Sequence, residues 1–457
     1  MSLLGVAALV DHAAELLDGV TRRTPLQRNE RLSKLTGAEV WLKREDLQPV
    51  RSYKLRGAYT LMSQLSPEAR QRGVICASAG NHGQGVAWSC ARLGIDGQVF
   101  VPTTTPRQKR ERIRELGGPN IELVVVGETY DAAAEAAAAQ AALSGRVLVP
   151  AFDDLRTLTG QGTVAREVVD QLGRAPDVMV VPVGGGGLIT GCGAWLSVHS
   201  PQTRLVGVEP AGAACLAVGL DAGHPVTLAS VDTFVDGAAV RRAGDLTLAL
   251  ARQLGFHEWV GPSESGRWTG ADGAAVRDAA VDPYGPAGRP RPTLMSIPEG
   301  QVCSEMLALY QTDGVIAEPA GALAPAALRR GPRDTTLRVL PGQTVVVVVS
   351  GGNNDISRYS EVLERSLIHE GRKHYFMVSF AQEPGQLRRF LDAILGPDDD
   401  IVLFEYVKKS NRETGPALVG IELGDPDDLA GLLARADASP IRVEPIPPDS
   451  AFFRYLV

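Results

Sequence analysis

The stretch "VMVVPVGGGGL", Val178 to Leu188, decides how this chain is read. Val178 to Val183 is a short, β-branched apolar run of the kind that forms a strand buried on both faces. Gly184, Gly185, Gly186 and Gly187 follow, and from Ile189 to Ser197 the pattern turns helical. A strand that enters a helix through consecutive glycines can point several backbone N–H groups at one anion, a phosphate above all. A bare strand-to-helix turn is the alternative; four glycines in a row favour the anion site. The G-x-G-x-x-G register of a dinucleotide site fails at Ile189 and Thr190, and the chain has no Gly-Lys-Ser/Thr of a nucleotide P-loop.

The same grammar extends outward. Between about residues 40 and 350, apolar runs such as Gly97 to Pro102, Ile121 to Val126, Arg204 to Val208 and Thr344 to Val349 alternate with longer Ala/Arg/Glu-rich segments of helical period. This predicts an α/β fold, a mostly parallel sheet covered by helices. Ligands in such folds sit where loops leave the carboxyl ends of strands. Besides the glycine run, two loops qualify: "SAGNHGQG" (Ser78 to Gly85) and "SGGNND" (Ser350 to Asp355).

Composition narrows the classes. The chain has 457 residues, with 46 Lys and Arg against 53 Asp and Glu and a formal charge of -7, and no basic block that could follow a nucleic-acid backbone. Cys76, Cys90, Cys192, Cys215 and Cys303 are scattered without a C-x-x-C pair, which points to a reducing compartment and no structural metal. No stretch reaches the length of a membrane span. The apolar opening Ser2 to Val10 runs on into Asp11, His12 and Glu15, as an amphipathic helix would, so the expected location is the cytoplasm.

"VRSYKLRGAY", Val50 to Tyr59, places one lysine after an aromatic residue. An ammonium of pKa about 10.4 is no nucleophile at neutral pH, but a desolvated amine can be trapped by an aldehyde as a Schiff base. A phosphate cradle, a carboxylate-binding loop and such a lysine are together what pyridoxal phosphate requires. Ser350, at a strand end, would face the pyridine nitrogen with a hydroxyl instead of a carboxylate, which favours loss of a β leaving group over transamination.

These residues resemble the biosynthetic threonine dehydratases, pyridoxal-phosphate enzymes of the tryptophan-synthase-β-like fold. The resemblance rests on "KREDLQ", "SYKLRGAY", "SAGNHGQGVA", "VPTTTPRQK", "FDDLRTLTGQGTVAREV", "VPVGGGGL", "TFVDGAAV", "VCSEMLALY", "AEPAGALA" and "SGGNND", in family order from Thr24 to Asp355. It implies that Lys54 holds the cofactor and removes the substrate's Cα proton, with Tyr53, here in place of the usual Phe, beside the ring. It further implies that Asn81 bonds the cofactor's 3′ oxygen, Gly184 to Leu188 its phosphate and Ser350 its ring nitrogen. Ser78, Ala79, Gly80, Asn81 and His82 would line the carboxylate of L-threonine or L-serine. Some relatives bind a divalent cation just after a Glu corresponding to Glu209, using an acidic residue near the position of Cys215; the cysteine there implies no such metal.

The tail, with "RSLIHEGRKHYFMVSF", "EPGQL" and "FRYLV", resembles the single ACT-like regulatory domain of the shorter family members. The expected organisation is a catalytic part at 1–355, with a smaller subdomain near 46–150 and an insertion at 257–292. A linker at 356–373, an ACT-like α+β domain at 374–448 and a terminal piece at 449–457 follow. Glu383, Pro384 and Gly385 open a helix where such domains place a small effector, by resemblance isoleucine, with valine opposing; a homotetramer is implied likewise. Two other readings remain: a serine dehydratase or racemase of the same fold, and an amino-acid sensor with an inactive catalytic module.

Overall fold

The structure, a computed structural model, describes residues 2–256, 259–260, 290–331, 333–406, 408, 412–447 and 450–456. Most of the insertion expected at 257–292 lies outside the described residues. The chain divides into two compact units, one of Met1–Glu299, Ala308–Arg330 and Asp334–Asn354, the other of Gly300–Leu307, Gly331–Arg333 and Asp355–Val457.

The first unit is α/β and holds two sheets. The larger has seven strands in the order Leu26–Arg28, Glu39–Arg44, Thr344–Val349, Val178–Pro182, Arg204–Pro210, Thr293–Ile297 and Trp259–Val260. Only the first pair is antiparallel. Val345 to Val349 are each 0% exposed. Helices therefore cover both faces of that strand, which is why its sequence does not alternate. The smaller sheet is parallel throughout, in the order Ile121–Val125, Gly97–Val101, Val74–Ala77 and Val147–Leu148.

Topology sets the site. Thr344–Val349 and Val178–Pro182 are parallel neighbours, so the loops beginning at Ser350 and Val183 leave the same edge side by side. The amino-terminal segment is the helix Leu3–Leu17, capped by Ser2, whose Oγ accepts from the Gly5 N–H. Its buried residues Val6, Ala7, Val10, Ala13 and Leu17 recur every three or four positions and pack on the helices Leu155–Leu172 and Gly187–His199. Among the described residues no helix is long and apolar enough to cross a membrane.

The second unit carries a four-stranded antiparallel sheet in the order Asp400–Tyr406, Thr414–Glu422, Lys373–Ala381 and Arg442–Pro445. Phe376, Val378, Phe380, Val419 and Ile421 form its core with Phe390, Leu432 and Ala436 of the helices Gln386–Ala393 and Leu429–Asp437. The connector expected after Asp355 is largely the helix Tyr359–His369, which buries Val362, Ser366 and Leu367. The final extended piece read after the last long helix is the strand Arg442–Pro445, and a short helix, Phe453–Leu456, follows it. Ser450 Oγ accepts the Phe453 N–H at 3.1 Å and starts that turn.

Candidate active site

Lys54 is the first residue of the helix Lys54–Ser63. Its position is set by the segment before it, which pairs with the Ser350 loop. Tyr53 N donates to Ser350 O at 3.1 Å, Gly352 N donates to Arg51 O at 2.9 Å, and Ser52 bridges Gly351. Arg51 has φ 57, in the left-handed region that non-glycine residues rarely occupy, and sits three residues from the lysine. Lys54 Nζ donates to Ala151 O at 3.2 Å and lies 5.3 Å from the centre of the Tyr53 ring. Burial lowers its pKa to about 8, although the Glu318 carboxyl acts to raise it. Only the neutral amine attacks a carbonyl, so capture of pyridoxal phosphate by the apoprotein should speed up through pH 8 and level off above it. Stopped-flow absorbance across pH 6 to 10 measures this; a rate still climbing steeply at pH 10, as for an amine of ordinary pKa about 10.4, would show that burial does not depress Lys54.

Tyr53, Lys54, Gly184, Gly185, Gly186, Gly187 and Leu188 line one pocket, with Phe152, Pro182, Gly237 and Val240. A side chain would collide at Gly185 and be tightly crowded at the other three glycines of the run. A Cβ on Gly184 would stand 3.0 Å from Ala238 Cα, one on Gly185 2.4 Å from the Phe152 ring, and one on Gly187 3.0 Å from Phe152 Cβ. Gly186 has φ 92 and abuts Thr247. The helix Gly187–His199 starts without a side-chain cap, so its first N–H groups can serve an anion. A buried amine and an uncapped amide cradle in the same pocket fit the aldehyde and phosphate of pyridoxal phosphate.

Asp153 and Thr247 hold the cradle in place. Asp153 accepts the N–H groups of Asp245, Leu246 and Thr247 at 2.9 to 3.2 Å and so caps the helix Asp245–Leu254. Thr247 Oγ1 in turn donates to Gly185 O at 2.7 Å. Gly185→Ala should displace the Phe152 ring and weaken cofactor binding by about tenfold or more. Absorbance titration of the apoprotein with pyridoxal phosphate measures it.

"SAGNHGQG" joins the Val74–Ala77 strand to the helix Asn81–Leu93. The cap of that helix is Gly80 and not Ser78, whose Oγ accepts the Gly80 N–H at 3.3 Å. A Cβ on Gly85 would lie 3.2 Å from the Leu55 backbone and 3.3 Å from that of Lys54, so the glycine lets the loop's helix pack beside the lysine. Asn81 Nδ2 donates to Glu318 Oε1 at 2.5 Å, and its Oδ1 accepts from Asn353 Nδ2 at 2.7 Å. His82 is pushed down to about 4 by burial and by Lys54, so it is neutral at physiological pH. Its Nε2 is 2.8 Å from Val149 O, which can only accept, so the proton sits on Nε2. Nδ1 is buried without a partner among the described residues. Ser350 is buried and its Oγ donates to Ala320 O at 3.0 Å.

The structure thus brings Tyr53, Lys54 and Gly184 to Leu188 into one pocket and ties Ser350 and Asn81 to it through backbone pairing and Glu318. Sequence reasoning missed Glu318, Asn353, Phe152 and Asp153. Glu209 accepts the N–H groups of Leu216 and Ala217 at 2.8 and 3.0 Å, so both of its oxygens cap the helix Cys215–Ala222. Among the described residues no cluster of three His, Cys, Asp or Glu side chains could hold a metal. In the second unit Glu383, Pro384 and Gly385 are exposed, and Gly385, with φ 90, is the cap of the helix Gln386–Ala393.

Residues 17–265 match the family of pyridoxal-phosphate dependent enzymes, and residues 364–456 match the C-terminal regulatory domain of threonine dehydratase. The biosynthetic L-threonine dehydratase of Mycobacterium tuberculosis is 54% identical over 98% of this chain and 95% of its own length. That of Bacillus subtilis is 45% identical over 96% of this chain and 94% of its own. Among solved structures, the processed form of threonine deaminase isoform 2 from Solanum lycopersicum superposes with a TM-score of 0.67 at 33% identity, covering 80% of this chain and 93% of that one.

Proposed function

This chain belongs to the biosynthetic threonine dehydratases, pyridoxal-phosphate enzymes with a C-terminal regulatory domain, and from that premise we propose how its residues divide the reaction. The enzyme dehydrates and deaminates L-threonine to 2-oxobutanoate and ammonia, the entry to isoleucine biosynthesis. Bound pyridoxal phosphate supplies the electron sink that acidifies the substrate's Cα–H.

Lys54 holds the cofactor and, once free as a neutral amine, takes the Cα proton. The observation that carries this is the single pocket uniting a desolvated Lys54 with the Gly184 to Leu188 cradle. The cradle amides hold the phosphate, Tyr53 packs beside the ring, and Asn81 donates to the 3′ oxygen. Ser350 presents a hydroxyl to the ring nitrogen, which leaves negative charge concentrated at Cα and favours departure of the β-hydroxyl. Ser78, Ala79, Gly80, Asn81 and His82 bind the substrate carboxylate at the amino end of the helix Asn81–Leu93. Neutral His82 adds no positive charge that would tether product. The enzyme works in the cytoplasm as a homotetramer.

Isoleucine is the inhibitor and valine the opposing effector, both read by the second unit near Glu383, Pro384 and Gly385. Feedback then requires a coupling free energy between two sites. A side-by-side assay of 2-oxobutanoate from threonine and pyruvate from serine tests the substrate, and the same assay with isoleucine tests the control. Threonine should give the higher kcat/KM, with isoleucine raising cooperativity or lowering velocity. Faster serine turnover, or racemised serine, would move the chain to the serine enzymes of this fold. An unchanged threonine curve with isoleucine would remove the effector assignment.

A further inference from the structure

Asn81 is the residue read above as the donor to the cofactor's 3′ oxygen, and a side-chain amide can fill its site in two orientations of nearly equal shape. One presents N–H; the other presents a carbonyl that would repel an oxygen. The structure contains the means to choose. Val50 O, a backbone carbonyl, can only accept, and it takes a hydrogen from Asn353 Nδ2 at 2.8 Å. This fixes which end of Asn353 is nitrogen, and the second Nδ2 hydrogen goes to Asn81 Oδ1 at 2.7 Å. Asn81 is thereby oriented with Nδ2 toward Glu318 Oε1 at 2.5 Å. One of the two Nδ2 hydrogens is used there, and the other is left to give.

The surrounding glycines fit this reading. A Cβ on Gly351 would stand 2.1 Å from Glu318 Oε1 and 3.3 Å from Asn81 Nδ2; one on Gly237 would stand 3.6 and 3.8 Å from the same atoms. "SGGNND" thus spares a side chain where the carboxyl and the amide meet, whereas the Gly237 of "TFVDGAAV" is closed to a side chain by Ala320 Cβ, 2.8 Å from where its Cβ would stand. Glu318 is buried, and burial together with Asp236 raises it to about 7, against the Asn81 hydrogen bond and Lys109. Tyr53 and Lys54 also feel its charge. In either protonation state an Oε1 lone pair remains for Asn81.

We propose that Val50 O, Asn353, Asn81 and Glu318 form a polarity-locked relay that holds the Asn81 amide with its N–H toward the cofactor oxygen, making Asn353 and Glu318 positioning residues for the reaction. The proposal rests on the cofactor reading of Asn81.

Asn353→Asp keeps the shape of the side chain but sets acceptor oxygens against Val50 O and Asn81 Oδ1, so Asn81 turns over. The full-length variant should bind pyridoxal phosphate about tenfold more weakly, and the pH midpoint of the bound cofactor's visible absorption should rise by about one unit as its oxygen loses a donor. Glu318→Gln can still turn a carbonyl to Asn81 and should stay within about threefold of wild type, whereas Glu318→Leu should match Asn353→Asp. Should a substitution prevent folding, Asn353→Ala removes the donor without adding charge and is judged by the same two readouts. Folded Asn353→Asp or Asn353→Ala, together with Glu318→Leu, showing wild-type affinity and midpoint would overturn the relay. Borohydride reduction of the wild-type enzyme, run alongside, must leave the cofactor on Lys54; failure there strikes the site reading itself, a different result from an unresponsive relay.

Discussion

Lys54→Ala protein is expected to fold with an unchanged melting temperature and to turn over threonine at least about 10³-fold more slowly than wild type. Two functions disappear with one side chain, the covalent hold on the cofactor and the base for the Cα proton. The fold has little stake in the amine. Among the described residues its one hydrogen bond is to Ala151 O, and the helix Lys54–Ser63 is anchored instead by buried Leu55, Ala58, Leu61 and Met62. Initial-rate assays with saturating pyridoxal phosphate, beside circular dichroism, separate the two effects. Turnover within tenfold of wild type would remove Lys54 from the chemistry.

Arg56→Met should have the opposite profile, a large loss of stability with activity lost as a consequence. Arg56 is fully buried two residues beyond the lysine and donates to both oxygens of Glu45 at 2.8 Å, to Glu167 at 2.7 and 3.0 Å, and to Thr163 at 3.1 Å. Lys43, also fully buried, adds a bond to Glu167 at 2.7 Å. Burial alone would raise Glu45, yet the Arg56 guanidinium foremost, with Lys43 and the Thr24 hydroxyl, more than offsets it and holds the carboxyl below its ordinary range. Removing the arginine leaves that carboxylate in the interior with Thr24, Gln48 and Lys43, at a cost of about 3–5 kcal/mol. The denaturant midpoint reads this, and a change of less than about 1 kcal/mol would contradict it. Because Glu45 is depressed in the folded state, the stabilisation is in place above the carboxyl's unfolded value and is lost only as pH falls through the depressed one.

Together these substitutions separate the helix that presents the lysine into a chemical tip and a structural base. The sequence made the tip legible only in combination. One lysine after an aromatic residue says little; the glycine run and the asparagine loop, each leaving a strand, gave it a partner. Those loops could be read because strand, glycines and helix are contiguous, and period and composition report contiguous structure well. Glu318 and Asn353 could not be read that way, since they reach Asn81 across 237 and 272 residues of chain. No local pattern records such a contact, and "AEPAGALA" looks from sequence like a plain helix start. Phe152 and Asp153 escaped for the same reason, acting on Gly185 and on the Asp245–Leu254 helix far along the chain.

In the second unit the alternation of the strand Lys373–Ala381 was clear, because Phe376, Val378 and Phe380 are buried while Met377 and Ser379 are only partly so; its neighbour Thr414–Glu422 buries Ala417 to Ile421 in succession and does not alternate. The polar connector after Asp355, helix-prone by its sequence, is mostly the helix Tyr359–His369, whose buried side is Val362, Ser366 and Leu367.

Reduction of the holoenzyme with borohydride, followed by peptide mass mapping, tests the central assignment most directly. The added mass of the reduced cofactor should fall on the peptide containing Lys54, with the visible band lost in step. An active, coloured enzyme whose cofactor maps to another lysine, or to none, would contradict it.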